Sequence, residues 1–193
     1  MTFANTLSKE EITAMPKETF AGQIVVVTTV EELNKAISYL STFPEIGFDT
    51  ETRPSFTKDK RYKMSLIQLS SDDTCFLIRL NKFIQFPKRL ESFLKNKNVV
   101  KIGLSLRDDF NGLRERTKVV PNNFIDLQNI VSQFGIEELS LRKIYAILFS
   151  KRISKSKQKS NWDAVFLSEQ QKRYAALDAW ACLRIYQFLE SLP

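Results

Sequence analysis

At 193 residues the chain fits one globular domain with room for a substantial core, and 43% hydrophobic with 26% charged residues is an ordinary balance for a soluble fold. A net charge of +7 favours polyanionic partners such as nucleic acid, although a solvated basic surface explains it equally well. Histidine is absent, which excludes a Ser-His-Asp triad, a Cys-His pair and HExxH zinc sites; hydrolysis would have to use carboxylates, Tyr, Lys or a hard cation held by oxygen.

Residues 1–20 read as an N-terminal extension with helical character near 8–15 and no signal-peptide run. A β-branched run predicts a strand at 23–29, and Leu33, Ala36, Ile37 and Leu40 give 30–40 helical spacing. Strands are predicted at 45–50, 63–70 and 74–80, the last two joined by the turn residues Ser71-Asp72-Asp73. A helix at 87–94, a short buried strand at 99–103 and helices at 106–116, 127–134 and 139–148 follow. Residues 150–160 (SKRISKSKQKS) form a basic, serine-rich break. Ser168 and Gln171 have capping-box spacing and open a long helix to about residue 190. This order predicts a single α/β domain over 21–193, a mixed sheet flanked by helices. No run approaches the roughly 18 apolar residues of a membrane span. Cys75 and Cys182 have neither disulfide-framework nor zinc spacing, and are expected to be buried thiols of a cytoplasmic protein.

Three constellations carry candidate chemistry. In Ile46-Gly47-Phe48-Asp49-Thr50-Glu51, strand alternation puts Asp49 and Glu51 on one face, where like charges repel unless water or a cation lies between them. A plain strand end with two solvated acids has the same pattern. On the last helix Tyr174 and Asp178 are four apart and project together, beside the small Ala175, Ala179 and Ala181. Asp108 and Asp109 open the helix after residue 103, where the helix dipole alone favours acids, and nothing local chooses between them.

The order D-x-E, then Gly103 with Asp109 and Leu113, then Y-x-x-x-D resembles the DEDDy 3′-5′ exonucleases, the superfamily of ribonuclease D and the proofreading exonucleases. The stretches FDTETRP, KMSLIQLSS, VVKIGLSLRDDFNGL and SNWDAVFLSEQQKRYAALDAWACLRIY are similar to the exonuclease domain of the Werner syndrome helicase. The resemblance covers roughly residues 25–190 and implies an RNase H-like sheet. It further implies catalytic roles for Asp49, Glu51, Asp109, Tyr174 and Asp178, the leucine four residues on selecting Asp109 over Asp108. The four carboxylates would hold two divalent cations, Mg2+ or Mn2+, that clamp a scissile phosphate and release nucleoside 5′-monophosphates. Tyr174 would orient the attacking water. The expected partner is nucleic acid with a single-stranded or recessed 3′ end, DNA favoured over RNA, touched by Thr50, Arg53, Lys63 and Trp162, although an anchor of the loop to the core is the favoured role for Trp162. Lys58, Lys60 and Arg61 would extend that path, and Lys151, Arg152, Lys155, Lys157 and Lys159 would form a mobile flap. No helicase motor is encoded in these residues, so a helicase or repair factor is expected only as a separate partner, and no membrane is involved. The alternatives are a catalytically inactive nucleic-acid-binding module on the same fold, or an interaction domain docking through Phe3 and Phe20.

Overall fold

A computed structural model of the chain describes residues 3–57 and 59–192. Six strands form one mixed sheet: β1 (Gln23–Val27), β2 (Glu45–Thr52), β3 (Met64–Ser70), β4 (Thr74–Arg79), β5 (Val100–Gly103) and β6 (Phe124–Asp126). Their spatial order is β1-β4-β3-β2-β5-β6. The β2–β3–β4 meander is antiparallel, whereas β1 on β4, β5 on β2 and β6 on β5 are parallel. β2, β5 and β6 therefore all end at one edge of the sheet.

The helices are α1 (Lys9–Ala14), α2 (Val30–Leu40), α3 (Lys88–Leu94), α4 (Leu106–Arg114), α5 (Leu127–Val131), α6 (Leu141–Phe149) and α7 (Glu169–Glu190). Capping explains several boundaries. The Glu32 carboxylate accepts from the backbone N–H of both Thr28 and Thr29, so β1 stops short of Thr28 and α2 begins at Val30. The Ser168–Gln171 capping box opens α7, and Ser140 caps α6. Strand β6 was not expected; its three residues are too few to show a period.

One face of the sheet packs against α7, with α5 and α6 alongside; the other packs against α2, α3 and α4. α7 comes unusually close to β2, because a Cβ on Gly47 would lie 1.9 Å from the Ala179 carbonyl oxygen. Small residues on both elements thus let two backbones meet where the candidate acids lie. Among the described residues no helix is long and apolar enough to cross a membrane.

The N-terminal residues pack onto this body. Phe20 is buried against Trp180, with ring centroids 5.8 Å apart, and Phe3 meets Phe188 at 6.2 Å. Both rings face inward, which corrects the reading of a free docking arm. Backbone bonds from Glu18 N–H to the Arg152 carbonyl (3.0 Å) and from Arg152 N–H to the Pro16 carbonyl (2.9 Å) tie this segment to the start of the basic break.

Candidate active site

β2 and α7 supply the centre of the site. Strand alternation turns Gly47, Asp49 and Glu51 towards α7, and the helical repeat turns Tyr174 and Asp178 back towards β2. One carboxylate oxygen from each of Asp49, Glu51 and Asp178 lies within 4.8 Å of those of the other two. Asp178 is only 7% exposed, and Tyr174, one helical turn earlier, stands on the same face of α7.

Asp109 stands outside this trio but within reach of its field, since its charge contributes to the shifts of Asp49 and Glu51. It arrives on α4 from the opposite face of the sheet, and the Thr50 hydroxyl donates to it. Asp108, one residue earlier, is exposed and pairs with Arg107 at 3.7 Å. Burial thus distinguishes two aspartates that the local sequence does not. The turn leading into α4 is held by Asp126 at the end of β6, whose carboxylate accepts from the N–H groups of Ser105 and Leu106. Ser105 there adopts a left-handed conformation (φ 59°), a strained choice for a serine that these bonds fix.

The electrostatics follow from crowding acids out of water. Burial pushes the Asp49 carboxyl well above its usual range, and the charges of Asp178 and Asp109 push it further. Burial, then the neighbouring acids, raises Glu51 to about 10. Burial raises Asp178 to about 7 against the opposing hydrogen bond from Tyr174, and raises Asp109 to about 6 against that from Thr50. Burial and the same acids hold the Tyr174 phenol above its normal range, so it keeps its proton at neutral pH. Among the described residues the five ion pairs all lie elsewhere: Lys35–Glu31, Arg107–Asp108, Lys143–Glu138, Lys151–Glu18 and Lys172–Glu169.

A cavity of about 370 Å³ opens over these groups, with Arg142 of α6 and Ser154, Lys155 and Gln158 of the basic break on its walls. Arg142 was not foreseen; it is one more charge on an amphipathic helix until α6 is placed against the site. The basic break is less free than a mobile flap. Lys151 is bound to Glu18 at 3.0 Å, and Arg152 Nε donates to the Met15 carbonyl at 3.0 Å. In the loop after β2, Arg53 lies over the Tyr62 ring at 4.5 Å and Lys60 at 5.4 Å, while Arg61 and Lys63 are exposed. Lys58 lies outside the described residues.

Of the two roles open to Trp162, base contact and loop anchor, the structure supports the anchor. Its side chain is 0% exposed and packs near Tyr174, with ring centroids 6.2 Å apart. It has no free face for a base and instead anchors the loop before α7. Cys75 and Cys182 are buried thiols, Cys182 at the floor of the cavity.

Known proteins resemble this chain in sequence and fold. Over 187 residues the chain is 33% identical to the bifunctional 3′-5′ exonuclease/ATP-dependent helicase WRN of Mus musculus, covering 92% of this chain but 13% of that protein. The Nibbler EXO domain of Aedes aegypti superposes with a TM-score of 0.81 at 24% identity, over 90% of this chain and 91% of that one. The Trypanosoma brucei RNase D complex with RNA U12 gives 0.79 at 22% identity, over 98% and 67%. The six-stranded mixed sheet flanked by helices is the RNase H-like fold of these neighbours. A match to the 3′-5′ exonuclease family model runs from residue 24 to 192, through every element that carries the five side chains above, and the chain belongs to that family.

Proposed function

We propose that the chain is a divalent-cation-dependent 3′-5′ exonuclease of the tyrosine (DEDDy) type, hydrolysing the 3′-terminal phosphodiester of nucleic acid to release nucleoside 5′-monophosphates. The observation that carries this reading is the trio of half-buried Asp49 and Glu51 with buried Asp178, their oxygens within 4.8 Å of one another and no cation among the described residues paired to them. Such a donor set, all oxygen, suits Mg2+ or Mn2+. Asp49, Glu51 and Asp178 would hold one ion, and Asp109 with Asp49 a second. When bound, these ions polarise the scissile phosphate and acidify water.

The chain's own groups do the remaining work. Thr50 fixes Asp109, and Tyr174 stands beside Asp178 on one face of α7. A phenol held in its protonated form cannot serve as a base at neutral pH, so Tyr174 positions the attacking water by hydrogen bonding. Arg142 and Lys155 line the same cavity and offer positive charge to the phosphates of the bound strand. Arg53 and Lys63, beyond the end of β2, extend that charge along the strand.

DNA with a single-stranded or recessed 3′ end is the favoured substrate, on the likeness to the WRN exonuclease/helicase; the RNA-bound neighbour makes RNA the comparison. The test uses matched 5′-labelled DNA and RNA oligonucleotides with EDTA, Mg2+ or Mn2+. A ladder that needs the cation and is lost in Asp49→Ala supports the enzyme. Strand binding with no ladder at any cation concentration refutes it in favour of a binding module.

A further inference from the structure

One polar side chain beside the acid cluster is not used by the chemistry above. Gln68 sits in the middle of β3, 0% exposed, directly opposite Asp49 on β2 and Leu77 on β4. Side chains of directly paired antiparallel residues project to the same face with Cβ atoms about 4.5–5.5 Å apart. Gln68 and Asp49 therefore stand side by side under α7. Other neighbours of Gln68 on the same face, Leu66 along the strand and Leu77 across from it, are buried and apolar.

Neither Oε1 nor Nε2 of Gln68 has a hydrogen-bond partner among the described residues. Buried amides are nearly always satisfied, and the exceptions concentrate at working sites. A methionine of about the same length would fill this place without burying two idle polar atoms. The amide must then be worth more in another state of the site than it costs here.

We propose that Gln68 is a positioning residue of the cation site, its amide N–H donating to the Asp49 carboxylate when a divalent cation takes that carboxylate as a ligand. A ligating carboxylate is oriented by a hydrogen bond from behind, and loss of such a partner typically weakens metal affinity about 10–100-fold. The inference rests on the reading of the acid trio as a cation site.

The test is a calorimetric Mn2+ titration of the purified chain and of Gln68→Met, with Leu77→Met as the packing control on the neighbouring strand. Thermal midpoints in EDTA and steady-state kinetics on a labelled oligonucleotide are measured alongside. The expected result is Mn2+ binding weakened about 10–100-fold in Gln68→Met alone. Its midpoint in EDTA stays unchanged or rises, and its KM for the oligonucleotide is that of the parent. Gln68→Leu repeats the measurement if the thioether does not pack. Parental Mn2+ affinity in both Gln68 variants overturns the inference while leaving the cation site standing, and equal weakening in Leu77→Met overturns it by assigning the effect to packing. A parent chain that binds no Mn2+ overturns the cation site and this inference together.

Discussion

Replacing Asp178 by asparagine should make the cation-free protein more stable at alkaline pH, although it removes a residue proposed to be essential for catalysis. Asp178 is 7% exposed, and its carboxyl is raised from 3.8 to about 7 by burial. Between those two values the folded protein holds a proton that the unfolded chain has released, so stability falls as pH rises through the window. The loss is absent below the unfolded value and complete above the folded one. At about 1.4 kcal/mol per unit, a shift of about three units corresponds to roughly 4 kcal/mol above pH 7. Asparagine keeps an acceptor for the Tyr174 hydroxyl but carries no charge. About 2–4 kcal/mol should return, which for a domain of this size moves the midpoint by roughly 5–10 °C.

The assay is thermal denaturation followed by circular dichroism, in EDTA, at unit steps from pH 5 to 9. The parent midpoint should decline from pH 5 to about pH 7 and then level off, with Asp178→Asn modestly higher at pH 5 and the gap widening to its full size by pH 8. Adding Mn2+ at about 1,000 times its dissociation constant should close or reverse the gap, because it stabilises the parent by about 4.1 kcal/mol while the variant has lost a ligand. An asparagine variant less stable than the parent at pH 8 in EDTA would refute the argument, since it would mean the charge is compensated within the protein.

Other outcomes follow from the same geometry. Asp109→Ala should lose most activity and Asp108→Ala keep most of it, measured as kcat on a labelled oligonucleotide, because Asp109 is half-buried and bonded to Thr50 between the two acids of β2 whereas Asp108 faces solvent. Tyr174→Phe should lower kcat about 10–100-fold with KM little changed and no shift of the pH profile near neutrality, the phenol being a donor rather than a base. Gly47→Ala should cost about 3 kcal/mol or more in chemical denaturation, since the new methyl would overlap the Ala179 carbonyl 1.9 Å away. Glu18→Ala should cost about 1–3 kcal/mol and speed tryptic cleavage between Lys151 and Lys159, because Tyr145 and Lys151 both lose the carboxylate they now bond.

The elements with a clean period were readable without coordinates. The 30–40 helix matches α2 end to end, and the 63–70 and 74–80 runs are β3 and β4 to within a residue. The pairs Asp49/Glu51 and Tyr174/Asp178 were legible for the same reason, as each lies within one element whose repeat sets the face. What joins one element to another was not legible. Thr50 points away from Asp49 along β2, and only the position of α4 shows that its hydroxyl serves Asp109. Gln68 reads as a lapse in an apolar strand until the register sets it beside Asp49. Trp162 left two readings open, because an aromatic in a polar loop looks the same whether it faces solvent or, as here, the underside of Tyr174. The break at 150–160 looked free because its restraints come from residues 15–18, more than 130 positions away in sequence.

The acids of this chain fall into two kinds, and the contrast between them bears on what the site awaits. Asp126 accepts from three backbone N–H groups, of Ser105, Leu106 and Gln128. Asp163 accepts from Ser65 and Asn81 and lies in the field of Arg79 and Arg116. Such acids hold loops in place, and their charge is already answered by the protein. Asp49, Glu51 and Asp178 are buried as deeply, in a chain with 29 lysines and arginines, yet none of these is paired with them among the described residues. Folding could have answered the trio with hydrogen-bond donors, as it does for Asp126 and Asp163. A fold that answers acids elsewhere and leaves three converging carboxylates without an ion pair among the described residues has what the proposed cation site requires: a countercharge that stays exchangeable and can be brought by ions that also bind a phosphate.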